Sequence, residues 1–98
     1  MDRRKEDRLA VDLLGVLNRT GKAPVCVDVS QVSANGCRLT GRNLDLHPGE
    51  QIELAFGGLV GMQAEVQWAH GDMAGVRLAA SLHPAIMRYF ASFIRLAG

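Results

Sequence analysis

Two arginines four residues apart, Arg4 and Arg8, sit in the charged run Arg3-Arg4-Lys5-Glu6-Asp7-Arg8 at the start of the chain. Some twenty residues later comes Gln31-Val32-Ser33-Ala34-Asn35-Gly36-Cys37-Arg38-Leu39, with a serine and a glycine at S-x-x-G spacing. A guanidinium fork grips a phosphate bidentately and stacks on flat rings. A serine–glycine turn adds a hydroxyl, backbone N–H donors and room for close approach. The pairing suits recognition of an anion. It does not suit bond-breaking chemistry. The chain shows no nucleophile–base pair, no paired carboxylate and no phosphate-cradling glycine loop of the nucleotide-hydrolase kind. The reading is of a non-enzyme.

The elements that must position these residues follow from the hydrophobic pattern. Residues 2–8 hold four basic and three acidic side chains and no apolar one, a solvated arm by composition. Leu9 to Asn18 is mostly aliphatic, and Arg19-Thr20-Gly21-Lys22 marks a turn. Val25, Val27 and Val29 alternate with Cys26, Asp28 and Ser30, which predicts a half-buried strand. Turn chemistry interrupts it at Ser33 to Gly36, where Asn and Gly both tolerate positive φ. Cys37-Arg38-Leu39 resumes a short strand, and Leu46 to Glu50 reads as a turn. Ile52, Leu54 and Phe56 alternate next. Val60, Met62, Ala64, Val66 and Trp68 then share one face, and that phase places Trp68 in core or barrel-wall packing. Ala74, Val76 and Leu78 close the series. After Ser81 the period changes to three and four, through Ile86, Phe90, Phe93, Ile94 and Ala97, an amphipathic helix. Ser81 or His83 can cap it and Pro84 suits its first turn. Tyr89 and Met87 are candidates for a partner surface. Many short, evenly spaced strands predict a closed or nearly closed antiparallel barrel with one terminal helix across an opening or flank.

Composition bounds the rest. Ninety-eight residues at 48% hydrophobic content make one small domain with enough apolar material for a core. Net charge is +1 and aromatics are 5%, which disfavours a nucleic-acid-binding barrel. Cys26 and Cys37 lie in strand-like runs at no metal-ligand spacing and read as reduced, core or half-buried thiols. His47, His70 and His83 lie in three separate turns or caps and read as surface residues, as do Asp28, Asp45 and Asp72. The N-terminus has no apolar h-region and no apolar run is bilayer-length. The expectation is a soluble, cytoplasmic domain with no membrane insertion.

In their order, separation and strand context, the two motifs resemble the PilZ domain, a bacterial receptor module for cyclic di-GMP. Weaker likenesses run through Pro48-Gly49-Glu50-Gln51-Ile52-Glu53-Leu54, Ala64-Glu65-Val66-Gln67-Trp68 and Ala74-Gly75-Val76-Arg77-Leu78. The resemblance implies an all-β fold: a six-stranded antiparallel barrel with a C-terminal α-helix. Here that gives one domain over 1–98, with an arm over 1–8, the barrel over 9–80 and the helix over 82–96. It also implies a cyclic di-GMP site of Arg4, Arg8, Gln31, Ser33 and Gly36, with no cofactor and no metal. Arg4 and Arg8 would close over the ligand, Ser33 would offer its hydroxyl to phosphate, and Gly36 would supply permissive backbone. The family carries Asp or Asn where this chain has Gln31, and that residue accepts from the guanine N1–H and N2–H₂. Gln31 lacks the second acceptor and the charge of a carboxylate. A shifted register, Asp28-Val29-Ser30, would restore the acid at the cost of three extra residues before Gly36. The resemblance therefore implies a stand-alone receptor that relays cyclic di-GMP to an unidentified effector protein through ordering of the arm. Its rival is a barrel of the same family that no longer binds the nucleotide and serves as a protein-interaction adaptor.

Overall fold

The computed structural model describes residues 8–93. Residues 1–7 of the expected arm, with Arg4, and the part of the expected helix from Ile94 onward lie outside the described residues. Six strands form: β1 (Leu9–Asn18), β2 (Val25–Ser33), β3 (Gly36–Thr40), β4 (Gln51–Phe56), β5 (Leu59–His70) and β6 (Met73–Leu78). They close into a barrel in the order β1-β2-β3-β6-β5-β4, with every neighbouring pair antiparallel. Closure leaves no sheet edge along the paired length, which a six-stranded open sheet would have to protect.

Alternation builds the wall. Val11, Leu13 and Leu17 of β1, Val27 and Val29 of β2, Leu54 of β4 and Val66 of β5 point inward and are buried. Their in-between neighbours, such as Asp12, Leu14, Cys26 and Asp28, point outward and are exposed. Of the two thiols read as core or half-buried, Cys26 is exposed on the outer face of β2 and Cys37 is buried.

Different segments close the two ends. At the end where β3 stops and β4 begins, the connection over 41–50 sends Leu44 and Leu46 inward, 3% and 7% exposed. Asn43 and Asp45 make this possible by adopting φ of 53° and 50°, the left-handed region that these two residue types tolerate best after glycine. The stretch from Leu46 is therefore a plug and not merely a turn. At the other end, Phe90 is fully buried, its ring 5.6 Å from Phe56. It fills the space beside Gly57 that any side chain there would need.

Phe90 comes from α1 (Pro84–Phe90), followed by a 3-10 turn, Ala91–Phe93. This helix begins at Pro84, inside the span of 82–96 expected for it. His83 is its cap: Nδ1 accepts from the Ala85 N–H at 2.9 Å, and Pro84 takes the first helical position. Met87 packs against the core, whereas Tyr89 is exposed.

Candidate functional site

Strand register brings the two sequence motifs together. Leu9 pairs with Val32 and Ala10 with Gln31 across β1 and β2. Arg8 precedes that pairing by one residue and so stands beside Ser33. At the far end of β2, Ser33 pairs with Gly36 across a two-residue turn, Ala34 and Asn35. Between Val29 and Gln31 the register with β3 slips, leaving Ser30 as an extra residue. Such a bulge re-aims the side chains that follow it. Val32 turns inward, and Gln31 becomes half-buried opposite Arg38. The Ser30 hydroxyl accepts from Arg38 Nε at 3.2 Å, which fixes the direction of that guanidinium.

The turn is anchored from below. The N–H groups of Leu78 and Leu82 donate to the carbonyls of Asn35 and Ala34 at 2.8 and 2.7 Å, and the Ser81 hydroxyl donates to the Asn35 side-chain oxygen. Ser33 is buried, and its hydroxyl donates to the Gly36 carbonyl at 3.3 Å. That is long for an O–H···O bond, so exchanging it for another acceptor costs little. Gly36 does not serve the turn through positive φ. Neither it nor Asn35 adopts one. Gly36 is needed because a Cβ there would lie 2.5 Å from the Val76 carbonyl oxygen. The requirement is close approach to β6 and not conformational freedom.

A groove of about 390 Å³ opens beside this turn. Arg8, Gln31, Ser33 and Gly36 all line it, so four of the five sequence-predicted site residues converge. Arg4 lies outside the described residues. Asp28 does not line the groove and is exposed on β2, whereas Gln31 lines it. Arg38, Arg77 and Trp68 are among the other residues of the groove's walls. No aspartate or glutamate lines the groove among the described residues, so the field of its three arginines goes uncompensated from within. Arg77 is held only loosely, with Nη2 3.8 Å from Glu65 Oε1.

Trp68 corrects the alternation. The β5–β6 register passes from Val66↔Val76 to Trp68↔Gly75, so Gln67 is an extra residue and the phase flips. The indole turns outward, 43% exposed, and lies over Gly75 at the groove wall. Cys37, also lining the groove, is 8% exposed, and burial pushes its thiol up to about 12. It is a neutral, inert group at neutral pH. No group of three or more His, Cys, Asp or Glu fit to hold a metal occurs among the described residues. No described helix is long and apolar enough to cross a membrane.

The family model of the PilZ domain matches residues 2–95. The chain belongs to the PilZ domain family. The PilZ motifs, R-x-x-x-R at Arg4 and Arg8 and S-x-x-G at Ser33 and Gly36, are the ones whose described members meet at the groove. Among solved structures the chain is similar to the "Structure of Bacillus subtilis Inhibitor of motility (MotI/DgrA)", with a TM-score of 0.69 and 13% sequence identity. The likeness covers 96% of this PilZ chain and 50% of that protein, so the chain spans about half its length. At that identity the likeness is one of fold. No curated protein sequence matches the chain.

Proposed function

We propose that this PilZ domain is a receptor for cyclic di-GMP, which it takes in the groove beside the β2–β3 turn and reports to a partner protein in the cytoplasm. One observation carries the reading. Arg8, remote in sequence from Gln31, Ser33 and Gly36, lines one groove with them and with an exposed indole, and no acidic residue is among the described residues of its lining. Its volume falls within the range of small-molecule sites, roughly 300–1,000 Å³.

Each group has a task that its chemistry fits. Arg8 and Arg38 present guanidinium forks to phosphate or to the guanine O6/N7 edge. Arg4 closes over the ligand from the arm. Ser33 turns its hydroxyl from the Gly36 carbonyl to a phosphate oxygen. The Gln31 amide oxygen accepts from guanine N1–H while its NH₂ donates to O6. Trp68 offers a flat face for a base to stack on, an interaction of about 1–3 kcal/mol per base.

Gln31 also favours a second reading. The amide brings neither the charge nor the second acceptor of the family's carboxylate, which weakens its hold by roughly 1.5–3 kcal/mol where a charge-assisted bond is lost. A barrel that gave up the nucleotide would act as a constitutive adaptor. Calorimetric titration of the folded protein with cyclic di-GMP separates the two: saturable heat supports the receptor, and its absence supports the adaptor.

A further inference from the structure

Arg77 is contested between the groove and a neighbouring carboxylate. On β6 it is the register partner of Gly36 on one side and of Glu65 on the other. Directly opposed residues on one face of an antiparallel pair bring Cβ positions within about 5 Å of each other. Gly36 contributes no side chain at this pairing, and Arg77, Ser33 and Gly36 all line the groove. On the opposite flank, the contact with Glu65 is 3.8 Å, with the two side chains 64% and 37% exposed. Ion pairs of that length and exposure are weak. Arg77 lines the nucleotide groove and also a smaller one that it shares with Glu65, Gln51 and Ala79.

We infer that Arg77 is a further ligand-binding residue of this groove, and that Glu65 restrains it as an internal competitor for the ligand's phosphate. The inference rests on the nucleotide reading proposed above and extends it beyond the two motifs. A phosphate matches the guanidinium fork as well as a carboxylate does. It also enters a groove with no acidic group among the described residues of its lining, where Arg8 and Arg38 already favour it. Rotation of the Arg77 side chain exchanges one anion for the other. The exchange leaves Glu65 uncompensated beside Gln51 and Ala79, so occupancy of the groove changes the charge of the adjoining face. A partner protein docking there meets a different surface in the two states.

The test is calorimetric titration with cyclic di-GMP, in one low-salt buffer, of the unmodified protein, Glu65→Gln, Arg77→Ala, the double variant and Glu53→Gln. Glu53 is a carboxylate on the adjacent strand that does not line the groove. Glu65→Gln should bind about twofold to fivefold tighter, the strength of an exposed ion pair. Arg77→Ala should bind roughly tenfold weaker, for one lost charge-assisted contact. The double variant should match Arg77→Ala, because Glu65 acts only through Arg77, and Glu53→Gln should bind like the unmodified protein. The inference is overturned if Glu65→Gln binds no tighter than Glu53→Gln, or if its gain survives in the Arg77→Ala background. Those outcomes leave the nucleotide reading standing. Absence of binding by the unmodified protein and every variant removes both.

Discussion

The indole of Trp68 covers the backbone of Gly75 across the β5–β6 ladder, in the space where a larger residue at position 75 would place its Cβ. The contact holds the ring as one wall of the groove while leaving 43% of the residue exposed. Trp68 is the only tryptophan of the chain, so its emission reports on the groove alone. Cyclic di-GMP should shift or quench that emission saturably. Trp68→Phe should retain most of the affinity, and Trp68→Ala should lose about tenfold or more, as expected for loss of a stacked base. Emission indifferent to saturating ligand would show that no base reaches the ring.

The arginines are predicted to act on binding and not on folding. Arg8 is exposed and precedes the first strand, and Arg4 belongs to an all-polar segment. Arg8→Ala and Arg4→Ala should each weaken cyclic di-GMP binding by roughly tenfold to a hundredfold. Melting temperatures should stay within about 4 °C, since surface substitutions usually change stability by no more than about 0.5 kcal/mol. Affinity should also fall as salt rises, less steeply than for fully exposed contacts. A large drop in melting temperature for either variant would make the arm a structural element.

Gln31→Asp should tighten binding by about tenfold, because a carboxylate supplies two acceptors and a charge to the guanine edge. The neighbouring Arg38 and Arg8 favour that charge. Asp28→Ala should leave affinity unchanged, since Asp28 does not line the groove. Dissociation constants measured for the three proteins in one buffer decide the matter. Equal or weaker binding by Gln31→Asp would contradict the assigned register.

Stability should depend on the plug at the helix end. Phe90→Ala removes a fully buried ring packed on Phe56 and Gly57. Truncations of this kind cost about 3–5 kcal/mol, a large part of the stability of a domain this size. Denaturant unfolding should show the midpoint shift. A shift worth under about 1 kcal/mol would mean that the helix merely rests on the barrel.

The barrel was legible because strands facing a core on one side alternate, and β2, β4 and β6 keep that period over most of their length. Its irregularities were not. The extra residues Ser30 and Gln67 shift the phase where no residue type announces it, and the second shift puts Trp68, read as core or barrel-wall packing, at the groove wall. Leu44 and Leu46 escaped notice because their burial depends on two left-handed residues between strands and not on any period. At the site, Arg8, Gln31, Ser33 and Gly36 were readable as motif pieces. Arg38 and Arg77 were not singled out, and Trp68 was read as packing, because their places follow from the β2-β3-β6-β5 order and register, which only the closed barrel supplies. Gly36 was read both as tolerant of positive φ and as giving room for close approach; the fold uses the second, toward β6, and not the first.

Titration of the folded, unmodified protein with cyclic di-GMP, followed by heat and by Trp68 emission in the same buffer, tests the central claim most directly. The account predicts saturable binding, roughly micromolar or tighter, seen by both signals and lost on Arg8→Ala. A folded protein that gives neither heat nor an emission change at saturating nucleotide would contradict it.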